Sequence, residues 1–253
     1  AAAQRRVSFR RQVVDRRGVR TYQFPAPLVA VLLVDVQLDG IVGIDFGTKS
    51  TVAVCLDDGK KLLRIGRGEL EKAPSAQDYE NPTVIELRDY VSFLDAYQLK
   101  DGRPFTEWEQ LTVSHEALNR LLESEDRQVA QSIFGELKQW ANRRQGLIRL
   151  RDRCGKDILL YPYDELSKGD LDPIELYAYY IGLYINNMHT GICLEYMFSF
   201  PVTYEKAVRE KILRSFERGI KKSLPTALLS KVSFPAGKAP SMPISPVTRC
   251  RTC

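Results

Sequence analysis

The chain has 253 residues, 44% of them apolar, which is enough for one large or two small domains with buried cores. Its formal net charge of +5 does not point to a nucleic-acid partner, because the basic residues sit at the ends. Residues 1–40 hold seven Arg against Asp15, Asp35 and Asp39, residues 225–253 hold Lys231, Lys238, Arg249 and Arg251 with no acid, and the stretch 41–224 between them is net acidic.

Residues 1–40 carry arginine doublets at 5–6, 10–11 and 16–17 and no sustained period of helix or strand, so a disordered basic extension is expected there. Within it, Leu28–Val34 falls far short of the roughly 20 apolar residues of a membrane helix. It also lacks the cleavage pattern of a signal peptide. From Ile41 the pattern is β: Ile41–Phe46, a turn at Gly47–Ser50, Thr51–Leu56, a second turn at Asp57–Lys60 and Lys61–Ile65, in antiparallel succession. Asn81-Pro82 opens another strand, Thr83–Leu87.

Helical spacing follows. Ser114 is placed to cap a helix over His115–Glu123, and Val129, Ala130, Ile133, Phe134, Leu137, Trp140 and Ala141 continue at helical intervals. Leu147–Leu150 and Asp157–Tyr161 flank a turn-like Asp-Arg-Cys-Gly segment and predict a hairpin. The clearest helix signal is Asp172 as cap with Pro173 in the first helical position, with Ile174, Tyr177, Ala178, Ile181, Ile185 and Met188 on one face and Gly191 as terminator. Cys193–Phe200 then reads as a strand, Pro201 as a break, and Tyr204–Lys222 as an amphipathic helix. After Leu224 the text turns proline-rich: five of the thirteen prolines lie in 225–253, and the globular part is expected to stop there.

The chemistry concentrates at Gly47-Thr48-Lys49-Ser50. A Gly-containing turn between two strands lets several backbone N–H groups converge on one point, with hydroxyls and Lys49 as added donors. Asp45, just before the turn, would repel a bound phosphate unless a hydrated Mg²⁺ lay between them. The same residues also suit a plain polar hairpin turn with a buried Asp. A Walker phosphate loop is excluded, since Thr48 stands where that pattern needs Gly before Lys-Ser, and a strand follows instead of a helix.

Ile41-Val-Gly-Ile-Asp-Phe-Gly-Thr-Lys-Ser-Thr-Val-Ala-Val54 resembles the first phosphate motif of the Hsp70/actin/sugar-kinase superfamily. Met197-Phe-Ser-Phe-Pro-Val-Thr-Tyr-Glu-Lys-Ala-Val-Arg209 is similar to an Hsp70 segment in which a strand ends in proline and the next helix carries an arginine. The resemblance implies an α/β fold, the first lobe of an actin-like (ribonuclease H-like) ATPase domain, over residues 41–224, with a mixed sheet flanked by helices and tails at 1–40 and 225–253. It implies ATP or ADP with Mg²⁺ as ligands, Asp45 holding the metal through water, and Gly47, Thr48, Lys49 and Ser50 lining the phosphates. Lys49 stands where Hsp70 has threonine. Lys138, in Ile133-Phe-Gly-Glu-Leu-Lys138-Gln-Trp, takes the place of the family's catalytic lysine with one extra residue of spacing after Phe134; on its own sequence it reads equally as a solvated lysine on a helix face.

The second lobe of that superfamily, with its second phosphate motif and adenosine motif, has no counterpart in the chain, so a partial nucleotide-binding domain is expected, catalytically inactive alone. Co-chaperones and client polypeptides would belong to the intact protein. The alternatives are a sugar or acid kinase of the same superfamily and a natural short interaction module. His115 and His189 read as surface or helix-end residues, and Tyr177, Tyr179, Tyr180 and Tyr184 as packing. Five scattered cysteines suit a reducing cytoplasm, and the lone Cys250-Arg-Thr-Cys253 pair reads as a chance spacing.

Overall fold

The computed structural model describes residues 8–15, 18–25, 37–56, 59–66, 75–143, 146–167, 169–188, 191–199 and 205–235. Strands β1 (Ser8–Asp15) and β2 (Gly18–Pro25) pair as an antiparallel hairpin within the segment 1–40, where the sequence pattern offers no element. The third strand, β3 (Gln37–Phe46), begins four residues before Ile41, the position where apolar patterning starts. β4 (Ser50–Leu56), β5 (Lys60–Leu63) and β6 (Asn81–Pro82) follow, then β7 (Ile85–Leu87), helix α1 (Tyr90–Gln98) and β8 (Leu111–Val113).

Next come α2 (Ser114–Glu123), α3 (Arg127–Ser132), β9 (Ile133–Phe134), α4 (Leu137–Ala141), and the hairpin of β10 (Ile148–Arg151) with β11 (Asp157–Leu160). Helix α5 (Pro173–Met188), strand β12 (Ile192–Ser199) and helix α6 (Lys206–Ser223) complete the order.

The main sheet runs β12-β3-β4-β5, with β6 pairing to β4. β12 is parallel to β3, while β3, β4 and β5 are antiparallel, so the sheet is mixed. A smaller antiparallel sheet has the order β8-β7-β9. This second sheet explains a departure from the helical spacing of 129–141: Ile133 and Phe134 leave the helix to pair with Glu86 and Ile85, splitting the segment into α3 and α4. A two-residue strand is too short to leave a period of its own.

Ser114 does not cap α2. Its backbone is left-handed (φ 59°), Val113 occupies the cap position, and the Ser114 N–H donates to Val84 O at 2.9 Å.

Helices α5 and α6 pack together against the main sheet. Asp172 caps α5 as its sequence implies, accepting from the N–H groups of Ile174 (3.0 Å) and Glu175 (3.1 Å). Its other oxygen accepts from Ser215 Oγ (2.5 Å) and Arg218 Nη2 (2.7 Å) of α6, so one carboxylate both starts a helix and fastens its neighbour. At Gly219 the helices approach so closely that a Cβ would strike the Glu175 carbonyl. The predicted apolar face of α5 is buried at Ile174, Tyr177, Ala178, Ile181 and Ile185, and Phe46 of β3 packs edge-on against Phe216 with ring centroids 4.8 Å apart.

The core does not end at Leu224. Leu228 forms a buried cluster with Ile192, Leu194 and Leu224, and Ser233 pairs with the outer edge of β12, its N–H donating to Leu194 O at 2.8 Å. The tail expected from 225 onward therefore packs at least to Phe234, which lies against Phe198 at 5.9 Å. Proline content misleads here because apolar residues between the prolines find partners on β12. Among the described residues, no helix is long and apolar enough to cross a membrane.

Candidate functional site

The turn 47–50 joins β3 to β4, and its shape needs glycine: a Cβ on Gly47 would collide with the Ser50 carbonyl oxygen. The turn is tied from below by Thr83, which is 2% exposed. Thr83 N–H donates to Lys49 O at 3.0 Å, and Thr83 Oγ1 donates to Gly47 O at 3.2 Å. Both peptide units are trans. In a planar trans unit the N–H points opposite to the C=O. The N–H groups of Thr48 and Ser50 therefore both point to the side of the turn away from Thr83, which puts two backbone donors on one side.

Asp45 is exposed at the end of β3, which removes the alternative of a buried Asp serving only to cap the turn. It lies in register with Val52 on β4 and with Ser199 on β12. The parallel strands β3 and β12 thus end side by side, and the two segments that carry the family resemblance, some 150 residues apart, become neighbours: Met197 pairs with Gly43, Phe198 with Ile44 and Ser199 with Asp45. The crevice beyond the carboxyl ends of parallel strands is where open α/β sheets bind ligands. Phe200 and Pro201 lie outside the described residues.

Lys138 completes the arrangement. It is 2% exposed, so it is not a solvated helix-face lysine, and its Nζ donates to Phe46 O at 2.5 Å, between Asp45 and the turn. The ammonium also lies 5.7 Å from the Phe46 ring centroid. Burial holds the Lys138 pKa below the ordinary lysine value, with the Asp45 carboxylate pulling the other way. The short helix α4, released from α3 by the β9 interruption, aims this lysine at β3. Thr48 and Lys49 are exposed at the turn, and Gly47 and Ser50 are half-buried.

Two supporting residues escaped the sequence reading. Asn81, fully buried, accepts from Ile65 N–H (2.6 Å) and donates to Thr51 O (3.0 Å) and Leu63 O (3.0 Å), joining β4 to β5. Thr83 is the other, and the only signal for either was their place where Asn81-Pro82 opens a predicted strand. The tyrosines are packing, as expected, with Tyr177, Tyr179 and Tyr180 buried. His115 is not a surface residue: it is buried, with Nε2 3.0 Å from Asp78 O. His189 and the Cys250–Cys253 pair lie outside the described residues. Cys55 and Cys193 are buried with their sulfurs 3.9 Å apart, and Cys154 is exposed.

A single carboxylate beside a turn with two outward N–H donors is a donor set that suits Mg²⁺ only if water and ligand oxygens supply most of its shell. Among the described residues, no group of three His, Cys, Asp or Glu side chains could by itself hold a metal. A polar cavity of about 260 Å³ between Gln128, Gln131 and the 151–155 turn includes none of these residues. No protein-family model matches the chain, and no curated protein matches its sequence.

Proposed function

We propose that Asp45, the 47–50 turn and Lys138 form one wall of a nucleotide phosphate site, in a lobe of the Hsp70/actin ATPase type. The observation that carries this reading is the reach of Lys138 across 92 residues of sequence to the Phe46 carbonyl, beside Asp45 and the turn. A buried lysine is costly to maintain, and placing one against a strand-end carboxylate and a donor-lined turn suits a phosphate anion better than any packing role.

In this reading the Thr48 and Ser50 N–H groups donate to phosphate oxygens, Lys49 and Lys138 supply positive charge, and Asp45 orients the water shell of Mg²⁺. The metal would neutralise charge on the β- and γ-phosphates of ATP. Phosphoryl transfer requires charge stabilisation from all sides of the transferring group, and the superfamily places the opposite wall on a second lobe. One wall by itself would bind ATP at roughly millimolar concentration, since exposed charge contacts are worth only about 1 kcal/mol each. In an intact protein of this type the same wall would serve an ATP-driven chaperone cycle with its co-chaperones and clients.

Calorimetry with ATP and Mg²⁺, paired with a phosphate-release assay, tests the reading. Weak Mg²⁺-assisted binding that Asp45→Asn diminishes, without steady turnover, is the expected result. Micromolar binding, or binding indifferent to Asp45→Asn, would place the site elsewhere.

A further inference from the structure

We propose that Thr83, which lies outside the turn, is the positioning residue that sets the turn with the Thr48 and Ser50 N–H groups outward, the form that receives a phosphate group, a proposal that rests on the phosphate reading above. Its one proton is committed to the turn. Gly47 O can only accept, so the Thr83 proton points to it, and the 3.1 Å contact between Thr51 Oγ1 and Thr83 Oγ1 must then use the Thr51 proton. The result is a directional chain, Thr51 to Thr83 to Gly47.

The segment bearing Thr83 is itself fixed. Tyr177 of α5 donates its hydroxyl to Pro82 O at 3.1 Å, and Asn81 holds the other side through the carbonyls of Thr51 and Leu63. Both turn carbonyls are thus drawn toward one buried residue before any ligand arrives. The Thr48 and Ser50 N–H groups point outward for the same reason, and donors oriented in advance need no reorganisation when a phosphate binds.

Valine matches threonine in shape and keeps the backbone bond from residue 83 to Lys49 O, but it cannot donate to Gly47 O. In Thr83→Val the 47–48 peptide unit is free to rotate and its N–H to leave the outward side, while the 49–50 unit stays in place. Serine retains the hydroxyl.

The test is a titration of the full ¹⁵N-labelled chain with inorganic tripolyphosphate, read at the Thr48 and Ser50 amides, with melting temperature measured in parallel. The expected result is about two- to tenfold weaker binding in Thr83→Val, the range one hydrogen bond supplies. The Thr48 response should fall more than that of Ser50, and Thr83→Ser should stay within about twofold of the unsubstituted chain. A packing role alone would not produce the asymmetry between the two amides or the rescue by serine. Thr83→Cys, whose thiol is a weak donor, serves if the valine variant does not fold: weakened binding supports the assignment and unchanged binding overturns it. If the unsubstituted chain binds and Thr83→Val binds equally well, the positioning role is wrong and the phosphate site stands. If the unsubstituted chain shows no response at either amide, the phosphate reading falls and the role of Thr83 falls with it.

Discussion

Replacing Lys138 by methionine separates its two effects, on stability and on binding. The side chain is 2% exposed and its ammonium makes a 2.5 Å bond to Phe46 O. Removing the donor takes a hydrogen bond from a buried carbonyl, a loss of up to about 1–3 kcal/mol. The same change removes a buried ammonium whose desolvation opposes folding, as its lowered pKa indicates. Methionine fills nearly the same volume, so no large cavity term is added. These effects oppose one another, and urea denaturation should show a net change within about 1.5 kcal/mol.

Binding has no such compensation. At the effective dielectric near a protein surface, a unit charge 4 Å from a phosphate contributes up to about 4 kcal/mol, and in bulk water about 1 kcal/mol. Even the smaller figure gives a fivefold loss of affinity, and the expected loss in Lys138→Met is about tenfold or more. The pH dependence carries the same signature. The native state releases the Lys138 proton below the ordinary value of 10.5. Phosphate binding should therefore weaken as pH approaches that value, while this group's contribution to stability rises through the window between its folded pKa and 10.5. Calorimetry of Lys138→Met with Mg²⁺ and ATP decides the matter. A variant that unfolds at low urea but binds like the original would mean that Lys138 is a structural post and not part of the phosphate wall.

Gly47→Ala should distort the turn, because the added Cβ meets the Ser50 carbonyl; tripolyphosphate affinity should drop by tenfold or more at a stability cost of about 1–3 kcal/mol, read by thermal melting. The buried phenols predict loss of stability in alkali. Burial raises Tyr90 to about 12 and raises Tyr97, Tyr163, Tyr177, Tyr179, Tyr180, Tyr184 and Tyr196 as well. Above pH 10 the unfolded chain then holds fewer protons than the native state, and stability falls as pH rises. Absorbance at the tyrosinate band should show these eight phenols ionising together on unfolding, above the ordinary phenol value of 10.0. Smooth ionisation of all twelve near pH 10 would contradict the buried aromatic core.

Much of the architecture was legible because the signals are local. The β3–β4 hairpin announces itself by a polar turn between two apolar runs, and α5 by Asp172-Pro173, with the cap made as the residues imply. Features set by distant partners were not legible. Ile133 and Phe134 follow helical spacing, but the free edge of β7 draws them into a strand. Ser233 has no strand period, yet β12 offers it an edge. At the site, Asp45 and the turn were visible in the motif, and Lys138 was visible only through family resemblance. Its burial depends on a carbonyl 92 residues away. Thr83 was invisible for the same reason: nothing near it in sequence reveals that both carbonyls of the turn bond to it.

Asp45 is proposed to hold a metal–phosphate complex against the 47–50 turn. Titrating the labelled chain with Mn²⁺ and ATP tests this most directly, because the paramagnetic ion broadens only the resonances of nearby residues. Selective broadening is expected at residues 44–50 and around Lys138, abolished by Asp45→Asn and by excess Mg²⁺. Broadening centred on any other acidic surface, with residues 44–50 untouched, would contradict it.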